Sequence, residues 1–238
     1  MTEHTVTAFE EELQALDSKI AQMGGLAEQL LGRAIDALEK RDPDLALKTI
    51  QQDEQIDRLE REVEEMAVSI IARRQPVALD LRQIMTAIRV AGDLERIGDL
   101  GKNIAKRATA IADENRPRQL MIGLEHIGSK ALEQLQTVLD AYSHRDAEKA
   151  LQVWARDEQL DAIYNSIFRE LLTYMMEDPR YIGLCTHLLF GAKNLERIGD
   201  HATNIAEMVH FLVKGTPIAD QRPKGDTTSF SMPERPTH

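Results

Sequence analysis

One phrase is written twice in this chain, and it limits the fold more than any other feature. Asp93-Leu94-Glu95-Arg96-Ile97-Gly98-Asp99, followed by Asn103-Ile104-Ala105, returns as Asn194-Leu195-Glu196-Arg197-Ile198-Gly199-Asp200 and Asn204-Ile205-Ala206. Asp53-Glu54-Gln55-Ile56-Asp57 returns as Asp157-Glu158-Gln159-Leu160-Asp161. The second pattern repeats at an offset of 104 (157 − 53) and the first at 101 (200 − 99), so the copies differ by three residues in one connection. Asp36, Arg41, Asp42 and Ala46 also match Asp140, Arg145, Asp146 and Ala150 at the longer offset. The chain must therefore fold as two like halves, and each half carries two pairs of carboxylates spaced four residues apart.

Those halves should be helical. Aromatic residues make up only 4 % of the 238 positions, while hydrophobic residues reach 42 %. Aliphatic side chains in an Ala-, Leu-, Glu- and Gln-rich chain favour helices over sheets. Breaks are few. Asp42-Pro43, Gln75-Pro76, Asn115-Arg116-Pro117, Arg145-Asp146, Asp178-Pro179 and Lys214-Gly215-Thr216-Pro217 carry the helix-ending signals. They predict helices near 8–41, 44–74, 77–114, 118–144, 147–177 and 180–213. The expected fold is all-α, two pseudo-symmetric three-helix bundles over 1–115 and 116–214, with a flexible tail over 215–238.

Composition excludes several functions. A formal net charge of −11 disfavours free nucleic acid and anionic lipid as partners. Cys185 is the only cysteine, so an internal disulfide and a cysteine-based metal site are excluded. The N-terminus lacks a signal peptide's basic start and apolar run, and no stretch approaches the ~18 apolar residues of a membrane span. A cytoplasmic protein is expected, reaching a membrane only through partners.

The carboxylates fall where apolar residues belong. Positions three and four apart share a helix face. Leu94, Ile97, Gly101, Ile104, Ala108 and Ile111 form one apolar stripe, repeated as Leu195, Ile198, Ala202, Ile205, Val209 and Leu212. Glu95 and Asp99 lie on the opposite face, which runs back through Ala91, Ile88 and Ile84; Glu196 and Asp200 continue back through Ala192, Leu189 and Cys185. Helices apolar on more than one side suit a central position. Asp157 and Asp161 likewise interrupt a run of Ala150, Trp154, Phe168, Leu171 and Met175, while the stripe bearing Asp53 and Asp57 is more polar.

A single acidic pair is most simply a solvated helix face. Four pairs in duplicate are harder to explain that way. Arg61 could pair with Asp57, but Asn165 stands in its place in the second copy. Like charges at this spacing repel by ~0.2–0.5 kcal/mol when exposed, and more when water is removed. A cation would relieve them, and oxygen ligands favour Mg, Mn, Ca or ferric iron. Gly98 and Gly199 point to close helix approach. Asn103 and Asn204 suit either amide ligation or interhelical hydrogen bonds.

At these motifs the chain resembles the PhoU family of regulators of bacterial phosphate-specific transport, from about Ala8 to Lys214. The resemblance rests on the doubled Leu-Glu-Arg-Ile-Gly-Asp and on the Asp-x-x-x-Asp pairs. It implies an all-helical protein without enzymatic activity, commonly a homodimer. It implies an adaptor between the ATP-binding subunit of the phosphate transporter and a membrane sensor histidine kinase, restraining the starvation response when phosphate is plentiful. It also implies metal ions (iron, zinc, manganese or magnesium) on two clusters. Carried over by position, these are Asp53, Asp57, Glu95 and Asp99, and Asp157, Asp161, Glu196 and Asp200.

Two other readings compete. A di-metal carboxylate enzyme or iron-storage bundle wants paired Glu-x-x-His motifs. Glu207-Met208-Val209-His210 spells one, but Thr109 replaces the histidine in the first half, and Leu100 stands where His201 does. A purely structural protein could instead dock its acidic stripes on basic partner surfaces without metal. The chain shows no Walker-type phosphate loop and no Ser-His-Asp or Cys-His pattern.

Overall fold

The computed structural model describes residues 2–114, 117–220 and 222. Its helices are α1 (Thr2–Lys40), α2 (Pro43–Arg74), α3 (Ala78–Ala110), α4 (Arg118–His144), α5 (Ala147–Ala155), α6 (Asp157–Glu177) and α7 (Ile182–Lys214), with a 3₁₀ turn at Pro179–Tyr181. No strand occurs among the described residues. The expected break at Asn115-Arg116-Pro117 falls partly outside them.

The helix ends follow from local chemistry. Asp42 caps α2 by accepting a hydrogen bond from the Leu45 amide at 2.9 Å, and Pro43 opens the helix. Asp146 repeats the device at α5, accepting from Glu148 and Lys149 at 3.0 and 2.9 Å. Arg41 and Arg145, the residues before these caps, both adopt left-handed backbone with φ of 57° and 53°. The three-residue difference between the halves is the linker Gln75-Pro76-Val77 after α2; in the second half Asp178 leads straight into Pro179.

The fifth of the six expected helices is not continuous. The expectation of one helix over 147–177 is corrected by a break at Arg156, which separates α5 from α6. No Pro or Gly marks it. The Arg156 amide bonds back to Val153 and its carbonyl accepts from Gln159, both at 3.0 Å and both one residue tighter than α-helix. Gln134 of α4 donates to the same carbonyl at 3.3 Å. A long-range side chain thus engages a carbonyl freed from the α-helical ladder, which local sequence does not announce.

The helices pack as two three-helix groups, α1–α2–α3 and α4–α5/α6–α7, joined mainly where α3 meets α7, with α1 also touching α4. The two apolar stripes predicted for α3 and α7 are fully or almost fully buried along their length. Burying each Ile or Leu there contributes roughly 1.5–3 kcal/mol. The residues behind the acids, Ile84, Ala91, Cys185 and Ala192, are also buried. Both helices are therefore central, and their acids stand at the edges of a core. No described helix is long and apolar enough to cross a membrane.

Candidate functional site

The first cluster lies between α2 and α3. Asp53 is 1 % exposed, on the α2 face turned toward α3. Lys102, one turn after Asp99, reaches across: its ammonium pairs with Asp53 Oδ2 and donates to Asp99 Oδ1 at 2.7 Å. Burial pushes the Asp53 carboxyl upward, against the pull of Lys102, and the charges of Asp57 and Asp99 push the same way. Burial alone would lower the Lys102 ammonium, but its hydrogen bonds to Asp53 and Asp99 hold it above the ordinary lysine range. Glu95 is half-buried and raised first by burial, then by the charge of Asp99; Arg96 lies 3.4 Å from its Oε2. Arg61 does not neutralise Asp57: its Nε donates to the Asp57 backbone carbonyl at 3.1 Å.

The second cluster lies between α6 and α7, and a different cation serves it. Asp157, Asp161 and Glu196 are all buried. Thr203 donates to Asp157 Oδ1 at 2.9 Å. Arg222, beyond the end of α7, forms a two-pronged pair with Asp157, Nε to Oδ2 at 2.7 Å and Nη2 to Oδ1 at 2.9 Å. It also donates to Asp200 Oδ1 at 2.6 Å and to Asn204 Oδ1 at 3.1 Å. Lys193 donates to Glu196 Oε1 at 2.9 Å. Even so, burial dominates at Glu196 and lifts its carboxyl from the ordinary 4.5 to about 7, with the charges of Asp200 and Asp161 adding to the shift.

The repeated glycine explains how the helices come so close. A Cβ on Gly98 would lie 2.9 Å from Asp53 Oδ1 and 3.0 Å from Ile56 Cδ1. In the second half a Cβ on Gly199 would collide with Leu160, the counterpart of Ile56. Close helix approach is thus the role of both glycines. Asn204 is an interhelical hydrogen-bonding group, donating to Asp93 Oδ1 at 3.2 Å while its own oxygen accepts from Arg222. His201 meets the same Asp93 oxygen at 2.8 Å, tying α7 to α3.

The donor set suits a hard cation. Among the described residues, Asp53 Oδ1, Asp57 Oδ1 and Glu196 Oε2 are buried oxygens without a hydrogen-bond partner. Such atoms cost about 1–3 kcal/mol each unless something satisfies them. Yet among the described residues no three Asp, Glu, His or Cys side chains converge as a ready ligand cage. Lys102 and Arg222 reach into the two clusters, and a cation could gather the acids only if they withdrew. Glu207 and His210 have partners of their own: Glu207 accepts from the Trp154 indole at 3.1 Å, and His210 Nδ1 meets the Thr216 carbonyl oxygen at 3.1 Å.

Sequence reasoning missed both cations. Lys102 carried a signal, since it lies three residues after Asp99 on the same face. Arg222 carried none, because it falls in a stretch whose composition reads as tail.

Comparison with known proteins agrees with this architecture. The PhoU domain model matches twice, over residues 20–108 and 124–209, once in each three-helix group. The phosphate-specific transport system accessory protein PhoU homolog of Rhizobium meliloti is 56 % identical over 226 residues, 95 % of either chain. The homolog of Caulobacter vibrioides is 49 % identical over 229 residues, 96 % of this chain and all of its own. The crystal structure of PhoU from Pseudomonas aeruginosa superposes with a TM-score of 0.85 at 43 % identity, covering 87 % of this chain and 100 % of that one. With the duplicated acids, the duplicated glycines and the doubled bundle all in register, the chain belongs to the PhoU family.

Proposed function

We propose that this chain is an accessory regulator of phosphate uptake, acting in the cytoplasm as a homodimer. It connects the ATP-binding subunit of a phosphate transporter to a membrane sensor histidine kinase and restrains the starvation response when phosphate is plentiful. The observation that supports this most is near-full-length identity to phosphate-transport accessory proteins. The two acidic clusters would hold metal ions through Asp53, Asp57, Glu95 and Asp99, and through Asp157, Asp161, Glu196 and Asp200. A bound ion would neutralise the acids and cross-link neighbouring helices. The chain's own residues set the terms: Gly98 and Gly199 bring the helices together, burial makes unneutralised acids costly, and Lys102 and Arg222 substitute for an ion. The di-metal enzyme reading lacks support, because Glu207 and His210 are engaged elsewhere.

The test is complementation. In a strain lacking its own copy, a starvation-promoter reporter should fire in high phosphate, and this chain should silence it. Continued firing with the chain expressed and folded would refute the proposal.

A further inference from the structure

The two clusters are copies in their acids but not in their counter-ions. Lys102 belongs to α3 itself. Its counterpart at the offset of 101 is Thr203, which hydrogen-bonds Asp157 but brings no charge. The missing charge arrives from outside the repeat. Gly215 ends α7 in left-handed backbone, φ 79°, and its amide bonds to Phe211 O at 2.8 Å. The chain then turns back along α7. His210 meets the Thr216 carbonyl, and Ile218 packs against the core. Pro217 and Ile218 close one side of a cavity of about 570 Å³ whose other walls include Leu81, Met85 and Phe211. Arg222 then spans Asp157, Asp200 and Asn204 with four side-chain hydrogen bonds. An arginine cannot shed its charge in a protein, and a two-pronged carboxylate pair is among its strongest contacts.

We propose that residues 216–220 and Arg222 act as a tethered counter-ion for the second cluster, seated through Arg222 when Asp157 and Asp200 hold no other cation, and released when a divalent cation takes those carboxylates. This rests on the reading of the clusters as cation sites. The same carboxylate oxygens cannot serve a guanidinium and a divalent ion together, so the two states exclude each other. Release would uncover the cavity wall beside Leu81, Met85 and Phe211. Among the described residues the first half has no such segment; its cation, Lys102, sits on a core helix. The second half alone would therefore convert cation occupancy into a change of exposed surface.

The test titrates the metal-free full-length protein with Mn²⁺, comparing wild type with Arg222→Ala and Arg222→Gln. Binding is read by calorimetry and seating by amide hydrogen exchange over 216–220 and at Arg222. In wild type, Mn²⁺ should speed exchange in this segment. Removing a tethered competitor should raise affinity at the second cluster, by about tenfold, while affinity at the first stays unchanged. In both variants the segment should exchange quickly with or without Mn²⁺. Equal affinity in all three proteins, with exchange unmoved by Mn²⁺, would overturn the tethered counter-ion and leave the cation sites standing. No Mn²⁺ uptake by any of the three would overturn both.

Discussion

Glu196→Gln tests whether burial at the second cluster works against the charged carboxylate. Glu196 is 4 % exposed, and its carboxyl rises from 4.5 to about 7 despite the Lys193 hydrogen bond. A folded pKa above the unfolded one means that the native state binds the extra proton. Stability from this group is then fully present below about pH 4.5 and is lost as pH rises through about 7. The rise from 4.5 to about 7, at 1.36 kcal/mol per pH unit, makes the loss about 3 kcal/mol by about pH 8. Glutamine keeps the shape and an oxygen for Lys193, but cannot ionise. In chelator-treated protein, E196Q should match wild type to within about 1 kcal/mol near pH 4.5 and exceed it by about 3 kcal/mol near pH 8. Urea unfolding followed by helical circular dichroism at both pH values reads the difference directly. A stability difference that does not change with pH would show that Glu196 is not the group held protonated, and the electrostatic account of the cluster would fail.

Other perturbations separate packing from charge. Gly98→Ala gains ~0.5–1 kcal/mol of helix propensity but crowds Asp53 and Ile56, where overpacking costs ~1–3 kcal/mol; a net loss of about 1 kcal/mol is expected in urea melts, and a gain would refute the close-approach argument. Lys102→Ala leaves Asp53 and Asp99 without their cation and should cost about 3 kcal/mol in urea melts near pH 7, a cost that shrinks at lower pH as the raised Asp53 carboxyl takes up a proton. Asp42→Ala should cost about 1 kcal/mol by removing the α2 cap, with no effect on Mn²⁺ uptake measured by calorimetry.

The fold was legible because it is written in periodicity and repetition. The stripes on α3 and α7 predicted central helices, and the Asp-Pro and Arg-Asp signals placed helix ends close to where they fall. The break at Arg156 was not legible: no Pro or Gly marks it, and the side chain that engages its carbonyl, Gln134, lies 22 residues away in the chain. Duplication marks the acids in the sequence, and Asp53 with Asp99, and Asp157 with Asp200, each share a cation in the structure. Their counter-ions were not legible. Arg61 had the right spacing for Asp57 but turned to the backbone, whereas Arg222 had no spacing relation and arrived by the fold of the terminal segment.

Duplication holds the acids in register but not the charges that oppose them. In the first half the cations are Lys102 and the mostly exposed Arg96; in the second they are Lys193 and Arg222, while Gly92 stands at the counterpart of Lys193. Among the described residues each half therefore sets two positive side chains, drawn from different positions, against its acids. The consequence lies in what must move when a cation is exchanged. Freeing Lys102 asks for a new rotamer of one side chain on a helix that stays packed. Freeing Arg222 removes four side-chain hydrogen bonds that tie the segment after α7 to the second cluster, and in the proposed exchange that segment is released with them. Equal acids thus give unequal mechanical outcomes, and the second half is the one whose occupancy a partner could read from the surface.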